Sequence, residues 1–387
     1  MKNFTYAITT VVHFGKGQIE KLGAEVASRS SRVLMVYGGG SIKRNGVYDG
    51  AVAQLRAHGV EWAELPGVEP NPRISTVREG VRLCREKGLD GILALGGGSV
   101  IDCSKAIAAG ALYDGDPWDF PAGRAAPEKA LPLFTVLTMA ATGSEMDNIA
   151  VISNPDSNEK EAFGAPCCLP AVSILDPSYT CSLPASQTAA GTADIISHTL
   201  ENYFSPIETN YLADNMAEAI LRACVLYGPR AIEAPDDYDA RANLMWCASW
   251  AINGFLDMGK PVGWSVHRME HELSAFYDVT HGVGLAILTP NWMRYVLSEQ
   301  TEARFARYGE AVWGLDRALP QREKAETAIQ KTRAFFNSLG LPATLTEVGI
   351  DSTYFAEMAR KARTANFDRT FVPLSVEDIQ EIYKMSL

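Results

Sequence analysis

The stretch Val33-Leu34-Met35-Val36-Tyr37-Gly38-Gly39-Gly40-Ser41 sets five apolar residues, with no polar alternation, directly against a glycine turn. Gly91-Ile92-Leu93-Ala94-Leu95-Gly96-Gly97-Gly98-Ser99 repeats the arrangement. A strand that is apolar on both faces is one buried inside a parallel sheet. Between and after these runs the period changes to that of a helix: Val47, Ala51 and Leu55 fall on one face, as do Ile74, Val77, Val81 and Cys84, and a further helix is expected over 100–110. Two strand–glycine–helix units therefore lie close together. Leu133-Phe134-Thr135-Val136-Leu137 and Val172-Ser173-Ile174-Leu175, the latter closed by Asp176-Pro177, read as later strands, so the chain up to about residue 180 is α/β.

Beyond Pro184 the pattern is Ala, Leu, Met, Glu and Arg at helical spacing, with almost no β-branched alternation through to Leu387. Gly228-Pro229, Ala234-Pro235, Gly340-Leu341-Pro342 and Pro373 are expected to break this half into seven or eight helices. Two domains are thus expected, 1–180 and 181–387, with ligands in a cleft between them.

The 387 residues are 47% apolar, enough to bury a large core. The net charge of −11, unrelieved by any Lys/Arg block, excludes a phosphate-backbone binder, so nucleic acid is not a partner. No apolar run is long enough to cross a bilayer, and Met1-Lys2-Asn3-Phe4-Thr5-Tyr6 lacks the layout of a secretory signal, so a soluble, cytoplasmic protein is expected. Seven scattered cysteines without a CxxC pair are expected to be reduced and structurally ordinary, which leaves nitrogen and oxygen ligands for any metal.

Four of the six histidines lie between 198 and 281. Asp194 and His198 are four apart, so a helix presents both on one face, and His267 and His271 repeat that spacing before His281 at a turn. One carboxylate with three neutral imidazoles suits Zn(II) or Fe(II) and leaves the ion able to act as a Lewis acid. Spacing alone does not say which three of the four histidines bind. The glycine turns carry the second signal, because backbone amides at a helix start donate to a diphosphate, and Gly96-Gly97-Gly98-Ser99 is the better placed of the two. No carboxylate lies between Tyr37 and Ser41 to take a ribose diol, while Ser41, Lys43 and Arg44 are near, which favours NADP(H) over NAD(H).

Together with Phe14-Gly15-Lys16-Gly17, Val68-Glu69-Pro70-Asn71-Pro72, Val100-Ile101-Asp102 and Ala141-Thr142-Gly143-Ser144-Glu145-Met146, these blocks run in an order that resembles the iron-containing alcohol dehydrogenases over nearly the whole chain. The branch it resembles most is that of the NADPH-dependent aldehyde reductases and butanol dehydrogenases. The resemblance implies a Rossmann-like amino-terminal domain and an all-α carboxy-terminal one, with a homodimer as the assembly. It implies that Asp194, His198, His267 and His281 bind one divalent ion, iron or zinc, with His271 beside it relaying the alcohol proton. It implies that Gly97, Gly98 and Ser99 hold the diphosphate, that Asp102, Thr138, Thr142 and Ser144 line the nicotinamide and ribose, and that Gly38, Gly39, Ser41, Asn71 and Lys160 surround the adenosine. At Asp147 the resemblance implies a small polar or neutral residue as the usual one, so the contacts just past Thr142-Gly143-Ser144 depart from that pattern.

The expected reaction is hydride transfer between the nicotinamide and a small alkyl aldehyde or primary alcohol, in the reductive direction with NADPH. The alternatives are a glycerol-type polyol dehydrogenase, or another NAD-dependent member of this fold. A lyase of the same architecture would need a basic cluster, and only Lys260 and Arg268 are cationic near the histidines. From other classes, His267-Arg268-Met269-Glu270-His271 fits the short HxxEH pattern of a metal-dependent hydrolase, which leaves the glycine turns unexplained, and a metal or nucleotide store would bind without turnover.

Overall fold

In the computed structural model, which describes residues 1–207 and 210–387, the chain divides into two compact units. One comprises Ala7–Leu183 and Pro235–Asn253, the other Met1–Tyr6, Pro184–Ala234 and Gly254–Leu387. From the sequence a single boundary near residue 180 is expected. A division does fall at Leu183, but the first six residues and the segment 235–253 each belong to the unit that a single cut would deny them.

The strands are β1 (Val11–Phe14), β2 (Arg32–Tyr37), β3 (Glu61–Leu65), β4 (Gly91–Gly96), β5 (Leu133–Leu137), β6 (Ile149–Asn154), β7 (Glu159–Gly164) and β8 (Val172–Leu175). The helices are α1 (Leu22–Ala27), α2 (Ser41–Arg44), α3 (Val47–Ala57), α4 (Ile74–Lys87), α5 (Gly98–Gly110), α6 (Ala185–Tyr203), α7 (Tyr211–Glu233), α8 (Tyr238–Ile252), α9 (Ser265–Tyr277), α10 (His281–Val296), α11 (Glu302–Trp313), α12 (Gln321–Ser338), α13 (Phe355–Ala362) and α14 (Val376–Met385).

The unit of Ala7–Leu183 and Pro235–Asn253 is built on a six-stranded sheet in the order β1-β8-β5-β4-β2-β3, every neighbouring pair parallel. The apolar runs are uninterrupted because both faces are covered. Val33, Met35, Leu93 and Leu95 pack with Leu22, Val26, Val47, Ala51 and Leu55 from α1 and α3. Leu34, Val36, Ile92 and Ala94 pack with Ile74, Val77, Val81, Ile101 and Ile107 from α4 and α5. Each such fully buried aliphatic contributes roughly 1.5–3 kcal/mol. The unexpected strands are the ones this reasoning passes over: β1 and β3 are sheet edges with few buried residues, and β6 and β7 form a separate antiparallel hairpin.

All the regular elements of the other unit are helices among its described residues, with α6 packed on α7, α9 and α10. Gly228-Pro229 does not break the chain there as expected. It lies inside α7, where Gly228 is buried against Thr192 of α6, and a Cβ on it would stand 2.8 Å from that side chain. The glycine serves close helix packing, which outweighs the hydrogen bond lost to the proline. Among the described residues no helix is long and apolar enough to cross a membrane.

Candidate active site

Three helices of the second unit converge on one carboxylate. Asp194 and His198 sit one turn apart on α6, His267 and His271 one turn apart on α9, and His281 is the first residue of α10. Asp194 Oδ1 lies 3.2 Å from His198 Nδ1, 3.8 Å from His267 Nε2 and 3.8 Å from His281 Nε2. One ligand atom each of Asp194, His267 and His281 lie within 4.8 Å of one another. His198 reaches the group through Asp194 and by stacking on His267, ring centroids 4.4 Å apart. His271 is brought beside it, its ring 5.8 Å from that of His281. All are buried except His281, which is partly exposed.

Small residues make this approach possible. A Cβ on Gly282 would lie 2.1 Å from the Ala190 carbonyl oxygen of α6, and one on Gly284 would lie 2.8 Å from Glu270 Cγ of α9. The sequence His281-Gly282-Val283-Gly284 therefore lets α10 seat against both helices that carry the other histidines.

The electrostatics suit a cation. Burial opposes charge on Asp194, yet the surrounding imidazoles of His198, His267 and His281 outweigh it and hold the carboxyl well below its usual range. Burial holds the His198 imidazole down at about 3, so it is neutral, the form that ligates metal. Burial also opposes charge on His267, but its contacts with Asp194 and Glu201 prevail and raise it to about 9, so a cation binding there displaces the Nε2 proton. Asp194 Oδ1, His198 Nδ1 and His267 Nε2 are buried without a hydrogen-bond partner. Buried polar atoms in native proteins are almost always satisfied, and the Asp194 oxygen with nitrogens of His267 and His281 close enough to share one ion, and His198 Nδ1 beside that oxygen, is the donor set for a borderline divalent ion. The residues fit a metal.

The other unit carries the glycine turns. Gly38-Gly39-Gly40-Ser41 follows β2 and opens α2, and Gly97-Gly98-Ser99 follows β4 and opens α5. Tyr37 is in register with Leu95, so both turns sit at the carboxyl ends of neighbouring parallel strands, where open α/β sheets bind ligands. Gly98 starts α5 so close to Thr142 that a Cβ would stand 2.3 Å from its Oγ1. Thr138 follows β5, its amide donating to the Gly96 carbonyl at 3.0 Å. Ser144 donates to Asp102 Oδ1 at 2.6 Å, and the Val151 amide donates to Oδ2 at 3.0 Å. Lys160 Nζ donates to Asn71 Oδ1 at 2.9 Å, with both residues buried. Asp147 is buried and pairs with Lys105 at 2.5 Å.

Three carboxylates at these sites escape a reading of the sequence. Glu64 of β3 accepts from Tyr37 at 2.6 Å and Tyr48 at 2.5 Å, and Lys43 Nζ lies 3.8 Å from it while standing over both tyrosine rings. Glu201, three residues past His198 on α6, accepts from the amides of Val266 and His267, and Glu270 hydrogen-bonds His281 Nδ1. The only local signal was the position of Glu201 on the ligand face of α6 and of Glu270 between the two α9 histidines.

Comparison with known proteins places these features in context. Residues 9–177 match the family model "Iron-containing alcohol dehydrogenase", and residues 188–387 match that of the carboxy-terminal part of the Fe-containing alcohol dehydrogenases. The chain is 55% identical to the NADH-dependent butanol dehydrogenase A of Clostridium acetobutylicum over the full length of both. It is 38% identical to an NADPH-dependent aldehyde reductase of Escherichia coli over 93% of each chain. Among solved structures, the NADH-dependent butanol dehydrogenase A of Thermotoga maritima superposes with a TM-score of 0.95 at 40% identity, covering 100% of this chain and 99% of that one.

Proposed function

The chain belongs to the iron-containing alcohol dehydrogenase family, and from that premise we propose that it is a metal-dependent reductase of small alkyl aldehydes, reversible toward the primary alcohols. The observation that carries the reading is the convergence of His198, His267 and His281 on Asp194, with Asp194 Oδ1, His198 Nδ1 and His267 Nε2 buried and lacking a hydrogen-bond partner. These four side chains would hold one Fe2+ or Zn2+. Such an ion supplies a Lewis acid that polarises a carbonyl oxygen, and a nicotinamide cofactor supplies the hydride.

In this reading His271 passes a proton to the product oxygen and recovers it from solvent, a role suited to an imidazole next to the ligands. The amides of Gly97, Gly98 and Ser99 hold the diphosphate at the start of α5. Asp102, fixed by Ser144 and Val151, orients the nicotinamide ribose together with Thr138 and Thr142. Gly38, Gly39, Ser41, Asn71 and Lys160 take the adenosine end. Lys260 is buried against Asp214 and so is unavailable to an anionic substrate, which disfavours the lyase. Glu270 is committed to His281 and Ser274, which disfavours a hydrolase using it as a base on water.

NADP(H) is the proposed cofactor, on Ser41, Lys43 and Arg44 beside a turn without a carboxylate. NAD(H) is the second reading, favoured by the grip of Glu64 on Lys43 and by the relative at 55% identity, which is named NADH-dependent. We propose a cytoplasmic homodimer by analogy with the family. The test is absorbance at the reduced-nicotinamide band with butanal, glycerol and each cofactor. Butanal-dependent loss that a chelator abolishes supports the proposal, and no loss with any aldehyde contradicts it.

A further inference from the structure

His267 and His281 approach Asp194 in the same way, each with Nε2 at 3.8 Å from Oδ1. Their other nitrogens face two different glutamates. His281 Nδ1 is hydrogen-bonded to Glu270 Oε2, and His267 Nδ1 lies 3.5 Å from Glu201 Oε1. Both glutamates are buried and are themselves fixed. Glu270 Oε1 accepts from Ser274 Oγ at 2.5 Å, and Gly284 leaves the space its side chain fills. Glu201 Oε1 accepts from the Val266 and His267 amides at 2.6 and 3.0 Å, which ties the carboxylate to the start of α9 as well as to the ring.

A carboxylate only accepts hydrogen bonds, so a neutral imidazole facing it presents Nδ1–H and keeps its lone pair on Nε2. That lone pair then points at Asp194. Resting on the metal reading above, we propose that Glu201 and Glu270 are positioning residues that select the tautomer and ring orientation of His267 and His281, and so set the affinity of the cation site. Such outer partners typically govern metal affinity by about 10–100-fold.

The experiment is a competition for Zn2+ between metal-free protein and a chromogenic chelator, run beside a thermal melt of the same metal-free samples. Wild type is expected to take up one equivalent. Glu270→Ala and Glu201→Ala are expected to weaken binding by about 10–100-fold. Glu270→Gln, which keeps an acceptor for Nδ1–H, should recover most of the affinity. Ser274→Ala, which frees the Glu270 carboxylate without touching a histidine, should lose a few-fold, and it decides the matter where an alanine variant does not fold. A merely structural role lowers the metal-free melting temperature and leaves Zn2+ affinity unchanged, and unchanged affinity in folded Glu270→Ala or in Ser274→Ala overturns the proposal. Wild-type protein that binds no Zn2+ defeats the metal reading itself, a result distinct from equal binding by wild type and variants.

Discussion

His267 and His271 occupy successive turns of α9 and are expected to fail differently. His267→Ala should abolish metal and activity together, since it removes a buried donor aimed at Asp194. His271→Ala should retain metal and slow turnover by about 10²–10⁴-fold, the range for a lost proton-transfer group. Elemental analysis of both proteins checks this, and equal metal loss would mean that the ligand assignment is wrong. At the proposed adenosine end, Gly39→Asp should lower the ratio of NADPH to NADH efficiency through repulsion of a 2′-phosphate. Glu64→Gln should raise it by freeing Lys43. Initial rates with both cofactors measure each shift, and an unchanged ratio in both would place the adenosine elsewhere. The candidate ligands were legible because Asp194/His198 and His267/His271 are each four apart, a spacing that a helix turns into proximity. Glu64, Glu201 and Glu270 were not, because each acts on a partner brought near only by packing: Glu201 lies 66 residues from His267.

At the scale of elements, the seating of α10 on α6 is the sensitive joint. Gly282→Ala would place a methyl 2.1 Å from the Ala190 carbonyl oxygen. Overpacking of this kind costs about 1–3 kcal/mol, and here the relief moves His281 away from Asp194. A lower melting temperature with weakened metal binding is expected, and native metal affinity would show that α10 adjusts without disturbing the site. The buried strands β2, β4, β5 and β8 were legible as apolar runs, whereas the edge strands were not. β3 reads Glu61-Trp62-Ala63-Glu64-Leu65, and only Leu65 is buried, so its place is decided by pairing with β2 instead of by hydrophobic pattern. The same competition explains α7, where burial against α6 carries the helix through Pro229.

For the whole molecule, one contribution to stability should fall as pH rises toward neutrality, that of a buried carboxyl in the α/β unit. Glu145 is fully buried, with Ser249 donating to Oε1 and no partner for Oε2. Burial pushes its carboxyl up from 4.5 to about 7. A group that holds its proton more tightly when folded stabilises below its unfolded value, and that contribution disappears as pH passes through the folded value. The loss between pH 4.5 and about 7 amounts to roughly 3 kcal/mol. The stability difference between wild type and Glu145→Gln, measured by denaturant, should change by about that amount across the window, and a difference that stays constant with pH would mean that the folded carboxyl titrates normally. The central claim is that one cation, held by Asp194, His198, His267 and His281, serves nicotinamide-dependent aldehyde reduction. Its most direct test is to strip the protein of metal and titrate Fe2+ or Zn2+ back while following butanal-dependent oxidation of NADPH and NADH. Activity should rise linearly and break at one equivalent per chain, with no recovery in Asp194→Ala. Full activity in the stripped protein, or equal recovery in Asp194→Ala, would contradict it.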